Sequence, residues 1–161
     1  EAHWEFDMDP SRIDVVIHPQ SVVHSMVRYQ DGTIIAQMGI PDMRIPIAYA
    51  LAYPHRLDGG WKPLELTDHG ELNFLPVEKK RYPALGLAYA ALKQGGTMPA
   101  VLNAANEIAV DAFLAGKIGF REIHRTIERT MCGHSSQPAR DVEDVLEVDR
   151  WARERATSLV H

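Results

Sequence analysis

His18 and His24 bracket the stretch HPQSVVHSM, and their imidazoles are the first groups in the chain whose type and spacing invite chemistry. An imidazole can ligate a metal, carry a proton or hold a backbone carbonyl. On one strand an offset of six turns both rings the same way, but about 20 Å apart, too far to share an ion unless Pro19 bends the chain. No carboxylate or cysteine stands beside them at ligand spacing, which argues against a shared metal. Two alternatives stay open for His24: a working histidine in the wall of an active site, or an imidazole bonded to backbone at a sheet edge. Cys132-Gly-His134 has no further ligands nearby and reads as a surface turn. Asn103, Asn106 and Glu107 interrupt an apolar helix, with Asn103 at i−3 from Asn106 and i−4 from Glu107. They read as a hydrogen-bonding network that fixes helix docking, with a ligand contact as the alternative.

The elements that must position these groups change character near the middle of the chain. Up to about Phe74, β-branched clusters alternate with Pro and Gly; after Pro83, alanine, leucine, glutamate and arginine recur at helical spacing. EAHWEF reads as the end of a helix and IDVVI as a short buried strand. SVVHSMVRYQ and TIIAQM read as a hairpin turning at Asp31-Gly32. A two-residue loop pairs Tyr29 with Ile34, Val27 with Ala36 and Met26 with Gln37, and sets His24 opposite Gly39, where no side chain fills the space. GIPDMRIP reads as a loop and IAYALAYP as a short helix that Pro54 ends.

Four helices are expected in the second half. Pro83 opens one that stops at Gly95-Gly96; Thr97 caps the next, with Val101, Ala105, Ile108 and Ala112 inward. Phe120, Ile123, Ile127 and Met131 line the third, and Asp149 caps the last over Ala152, Ala156 and Leu159. Narrow, alanine-rich stripes with short connections predict a close-packed bundle. The fold class is therefore α+β: an antiparallel hairpin or sheet with short helices, followed by a small C-terminal helical bundle. The expected partition is 1–58, a linker at 59–78, and the bundle at 79–161.

Bulk properties exclude several functions. The 17 Lys and Arg among 161 residues are scattered and the net charge is −5, so nucleic acid is not an expected partner. No apolar run approaches the roughly 20 residues that span a bilayer, and no signal peptide is visible, so no membrane partner is expected. A lone cysteine rules out an internal disulfide and fits a reducing compartment. No GxGxxG, P-loop, nucleophile elbow or HExxH is present, so a dinucleotide cradle and most catalytic groups would have to come from outside this segment. The chain opens at Glu1 without a methionine, and a fragment, a trimmed chain or an expression product is expected.

The run IDVVIHPQSVVHSMVRYQDGTIIAQMGIPDMRIPIAYALAYP resembles the 1-deoxy-D-xylulose 5-phosphate reductoisomerase family of the non-mevalonate isoprenoid pathway along nearly its whole length. RYPALGLAYAAL, LNAANEIAV and DVLEVDRWARERA extend the likeness over almost the entire chain. The resemblance implies a subunit with an N-terminal NADPH-binding Rossmann domain, a central α/β catalytic domain and a C-terminal helical bundle, of which this chain covers the later catalytic part, a linker and the bundle. The family converts the phosphosugar 1-deoxy-D-xylulose 5-phosphate to 2-C-methyl-D-erythritol 4-phosphate with NADPH and Mg²⁺ or Mn²⁺.

By that resemblance His24 matches an active-site wall histidine, and in the stretch HPQSVVHSM it is read as the working histidine, with His18 structural. Pro41 and Met43 match a loop near nicotinamide and substrate, and Ser21 lies close by. Glu1 matches a carboxylate beside the metal ligands, while no metal ligand itself falls in this segment. The hairpin from Val22 to Met38 matches the sheet through which two subunits form a homodimer, though its apolar stripe could instead pack on the chain's own helices. The compartment implied is bacterial cytoplasm or plastid stroma. The family's metal carboxylates, phosphate-binding residues and Rossmann fingerprint all precede the position of Glu1, so this segment alone is expected to be inactive. A non-catalytic dimerisation and scaffold module is the alternative, and a paralogous NADPH oxidoreductase of different substrate a third.

Overall fold

A computed structural model of the chain describes residues 2–160. It divides into two compact units: one runs from Val15 to Val77, and the other joins the chain up to Asp14 with everything from Glu78 on. Residues 59–78, expected as a linker, thus lie almost wholly within the first unit. The opening residues group with the helical half.

The unit from Val15 to Val77 holds two small antiparallel sheets. Strand β1 (Val16–Ile17) pairs with β4 (Leu75–Pro76), and β2 (Val23–Arg28) pairs with β3 (Ile34–Met38). The stretch 13–17 is not the buried strand expected: only two residues are extended, and Val15 and Val16 are exposed. Helix α2 (Arg44–Ala52) starts two residues before Pro46, because a proline within the first turn removes an N–H that has no partner in the helix anyway. Its C-cap is Tyr53, which precedes Pro54.

The hairpin register differs by one residue from the two-residue-loop expectation. Arg28 faces Ile34, Val27 faces Ile35, Met26 faces Ala36 and Ser25 faces Gln37. Tyr29 N–H reaches the Thr33 carbonyl at 2.8 Å and Gly32 N–H reaches the Tyr29 carbonyl at 3.0 Å, leaving Gln30, Asp31 and Gly32 as a three-residue loop. Gly32 has φ +85°, the left-handed value that closes such a loop without steric cost. Asp31 accepts the Thr33 N–H at 2.9 Å, pinning the turn.

The second unit opens with α1 (Ala2–Phe6), and its bundle comprises α3 (Pro83–Gln94), α4 (Met98–Leu114), α5 (Phe120–Cys132) and α6 (Val142–Thr157). Helix α4 is central and packs on the other three bundle helices. Met98, Val101, Ala104, Ala105 and Ala109 of α4 meet Ala91 of α3, Ile127 and Met131 of α5, and Ala152 and Ala156 of α6. Small residues at these crossings let the helix backbones approach closely. Val101, Ala105, Ile127, Met131, Ala152 and Ala156 are in the core as expected, whereas Phe120 is exposed and edge-stacked on Phe113. Leu159 lies past the end of α6, and α3 turns Ala91 and Leu87 to the core, not a stripe of Leu85, Ala88, Tyr89 and Leu92.

The last helix begins seven residues before the expected cap. Asp141, not Asp149, is its N-cap and accepts the Asp144 N–H at 2.9 Å. Thr97 is the N-cap of α4 by position, but its side chain makes no capping bond. It is used elsewhere, as described below. Tyr89 on α3 donates its hydroxyl to the Ile13 carbonyl at 2.8 Å, tying the opening residues to the bundle.

Candidate functional site

His24 is the extra residue of a β-bulge. The pairing passes from Ser25–Gln37 to Val23–Met38, so β2 has one residue more than β3 across this interval. A bulge re-aims its side chain, and here the imidazole turns back over the ribbon: Nε2–H donates to the Gly39 carbonyl at 3.1 Å. In the neutral ring that bond places the proton on Nε2 and leaves Nδ1 as a bare acceptor. His24 is exposed. This geometry matches the backbone-bonded alternative, while leaving one nitrogen available for proton or ligand chemistry.

Gly39 also donates its N–H to the Val22 carbonyl at 2.9 Å, so the chain beyond β3 is held at the start of β2. Ser21, His24 and Gly39, from which the loop carrying Pro41 and Met43 leaves, therefore lie at one end of the ribbon. Ser21 has φ +53°, a left-handed conformation that costs a non-glycine residue about 1 kcal/mol or more. Its N–H bonds the His18 carbonyl at 3.1 Å, and the next residue, Val22, is buried.

The loop is stiffened locally. Asp42 N–H reaches over Pro41 to the Ile40 carbonyl at 2.8 Å, and the Asp42 carboxylate accepts the Arg44 N–H at 2.9 Å. The Arg44 guanidinium grips both Asp42 oxygens, with its closest contact at 2.6 Å. Hydrogen bonds from Arg44 hold the Asp42 carboxyl below its ordinary range. Met43, between them, is left exposed to solvent.

His18 is built into the stem of the same unit. Its Nδ1–H donates to the Asn73 carbonyl at 2.9 Å, and its ring stacks on Phe74 with centroids 4.7 Å apart. Gln20 Oε1 accepts the Asn73 N–H at 3.2 Å. His18 Nε2 is buried and, among the described residues, has no hydrogen-bond partner. Sequence spacing carried no sign of which ring nitrogen would be left bare, because that depends on Asn73, 55 residues away.

Among the described residues no three His, Cys, Asp or Glu side chains gather as a metal site requires. Glu1, expected beside the metal ligands, lies outside the described residues. Cys132 is exposed, and His134 is engaged with Thr97. In the LNAANE segment, Asn103 Nδ2 donates to Glu107 Oε1 at 3.0 Å, and Glu107 receives Arg153 of α6 at 2.7 Å. Asn103 and Glu107 thus make the docking network; among the described residues, Asn106 makes no bond in it. Among the described residues, no helix is long and apolar enough to cross a membrane.

A β-ribbon with a bulged histidine, followed by a bundle around an alanine-lined central helix, makes this an α+β protein. Residues 38–155 match the DXP reductoisomerase C-terminal domain, and the chain belongs to that family. It is 55% identical to the 1-deoxy-D-xylulose 5-phosphate reductoisomerase of Geotalea daltonii over 160 residues, which is 99% of this chain and 42% of that protein. Against the Geobacter metallireducens enzyme the identity is 56% over the same shares. The Zymomonas mobilis reductoisomerase solved with NADPH superposes with a TM-score of 0.89 at 44% identity, covering 98% of this chain and 42% of the other. A reductoisomerase solved with NADPH, fosmidomycin and magnesium gives 0.90 at 43%, covering 98% and 41%. The chain thus spans about two fifths of the length of these relatives.

Proposed function

We propose that this chain is the later part of the catalytic domain plus the C-terminal helical domain of an enzyme that converts 1-deoxy-D-xylulose 5-phosphate to 2-C-methyl-D-erythritol 4-phosphate. The observation that carries the reading is the continuity of the likeness: 55% identity runs through 99% of the chain. The compartment we assign is bacterial cytoplasm or plastid stroma. By function the chain divides at 1–58, 59–78 and 79–161, the middle stretch connecting the ribbon to the bundle.

Relatives bind NADPH and magnesium. The described residues of this chain do not fit either group: they gather no metal ligands and carry no glycine-rich βα turn. The remainder of the whole protein must hold NADPH and Mg²⁺ or Mn²⁺. What this segment supplies is position. His24, anchored through Nε2, presents Nδ1 to substrate, and Ser21 stands at the start of the same ribbon. Pro41 and Met43, on a loop braced by the Asp42–Arg44 pair, offer a proline ring and a thioether that cover a flat ligand without donating a competing proton.

Exposed apolar residues on both faces of the ribbon support a second, compatible role in pairing two subunits. Val27 and Ile35 lie on one face and Met26 and Ile34 on the other, all exposed. The test is expression of the full reading frame and of this segment alone. The full product turns over the phosphosugar with NADPH and a divalent cation, and the segment does not. A full product that oxidises NADPH only with another substrate would replace this reading with the paralogue; one that neither turns over nor binds NADPH would leave the scaffold module.

A further inference from the structure

The loop between α5 and α6 is seated on the turn between α3 and α4 by a set of polar contacts that the proposed reaction does not use. Thr97, buried at 2% exposure, donates its N–H to the Gln137 carbonyl at 2.9 Å and receives the Gln137 N–H on Oγ1 at 3.2 Å. Ser136 donates its hydroxyl to the Gly95 carbonyl at 2.7 Å. The fit is close enough that a Cβ on Gly96 would stand 2.3 Å from the Gln137 oxygen. His134 completes the seat, its Nε2 lying 2.8 Å from Thr97 Oγ1 and its ring 5.1 Å from that of Trp151.

A hydroxyl has one proton to give. Thr97 Oγ1 already accepts from Gln137, and its O–H finds an acceptor in a bare Nε2 when His134 is neutral and carries its proton on Nδ1. An imidazolium carries protons on both nitrogens. Its Nε2–H then points at Thr97 Oγ1, so the buried hydroxyl must turn its own proton away and loses the acceptor that Nε2 gave it.

We propose that His134 is a proton-operated latch: neutral, it accepts the Thr97 hydroxyl and holds residues 133–138 on the α3–α4 turn, and on taking a proton from bulk water it releases them. The groups facing it are set against retaining the charge only in part. Asp144 and Glu147 of α6 line the adjoining cleft of about 720 Å³, but Asp144 is already paired with Arg140 at 2.9 Å. Arg155 of α6 approaches Gly133, and the exposed Cys132 thiol ends α5. The α3–α4 turn, Gly95 to Thr97, brings no charge. Burial depresses the His134 pKa below its ordinary 6.5. The folded state therefore takes the proton less readily than the unfolded chain. The latch is closed above about pH 6.5 and opens as pH falls through the depressed folded value.

The experiment is a pH titration of the 161-residue chain that follows the His134 ring nitrogens and the amide exchange of Thr97 and Gln137 by NMR. The expected result is a neutral ring with Nε2 unprotonated, and protection of both amides falling about tenfold, the order of one buried hydrogen bond, with the midpoint of the His134 titration. Ala105 and Ala109 amides in the α4 core keep theirs. A neutral ring protonated on Nε2, protection that stays flat while His134 titrates, or a loss shared equally by the α4 core would each overturn the latch. His134→Gln should abolish the pH step while far-UV circular dichroism is unchanged; if that variant does not fold, the wild-type titration decides alone.

Discussion

Arg153 on α6 bonds Glu107 on α4 at 2.7 Å, and the same guanidinium holds Asp149, one turn earlier on α6, at 2.7 Å. The arginine is thus shared between two helices that are separated by 46 residues of sequence at this contact. Glu107 is oriented from its own helix by Asn103, so the polar interruption of the LNAANE run is the α4 half of an inter-helix tie.

Hydrogen bonds from Arg153, and secondarily from Asn103, depress the Glu107 pKa below 4.5. A depressed carboxylate stabilises the fold above its unfolded value and loses that contribution as pH falls through the folded one. Glu107→Gln should therefore lower the urea midpoint at pH 7, and lower it less at an acid pH below the folded value. Because the pair is partly exposed, the difference should shrink in high salt. Equal losses at both pH values would remove the ion pair as the cause.

Gly95 and Gly96 are adjacent and both have positive φ, yet only Gly96 lacks space for a Cβ. Gly95→Ala should cost about 1 to 2 kcal/mol for backbone strain alone. Gly96→Ala should cost more, because the methyl meets the Gln137 carbonyl and unseats the loop. Thermal melts of the two variants give the ordering directly.

Ala152 is fully buried where α6 crosses α4, whereas Leu146, earlier on α6, is exposed. Ala152→Leu should destabilise by about 1 to 3 kcal/mol through overpacking. Leu146→Ser should stay within about 0.5 kcal/mol in the isolated chain. Comparable effects of the two would mean that α6 does not present Ala152 to the core.

In the full-length protein, His24→Ala should lower turnover or weaken substrate binding while circular dichroism is unchanged. The motivation is the bulge, which fixes Nε2 on Gly39 and leaves Nδ1 bare. Unaltered steady-state kinetics would assign His24 to the backbone alone.

Helices were readable where their ends carry chemistry: Pro83 at the start of α3 and the Gly95-Gly96 stop are local signals, and α3 runs between them. Phe120 escaped a reading by periodicity, since its position on the α5 stripe falls in the first turn, where it meets Phe113 instead of the core. Asp-Gly announced the hairpin turn, but the same dipeptide serves two- and three-residue loops, and the choice shifts every cross-strand pair by one. That shift, together with the bulge, decided where His24 points. The partners of His18 and His134 come from Asn73 and Thr97, and only the folded chain brings them close.

The pairing of β1 with β4 brings Val16 beside Pro76. The first residues and the long helical tail share one unit, so the ribbon-bearing stretch leaves that unit and returns to it through two zipped ends. Such a cassette closes its own loop, and substituting a short turn for it would ask little extra chain entropy of the helices.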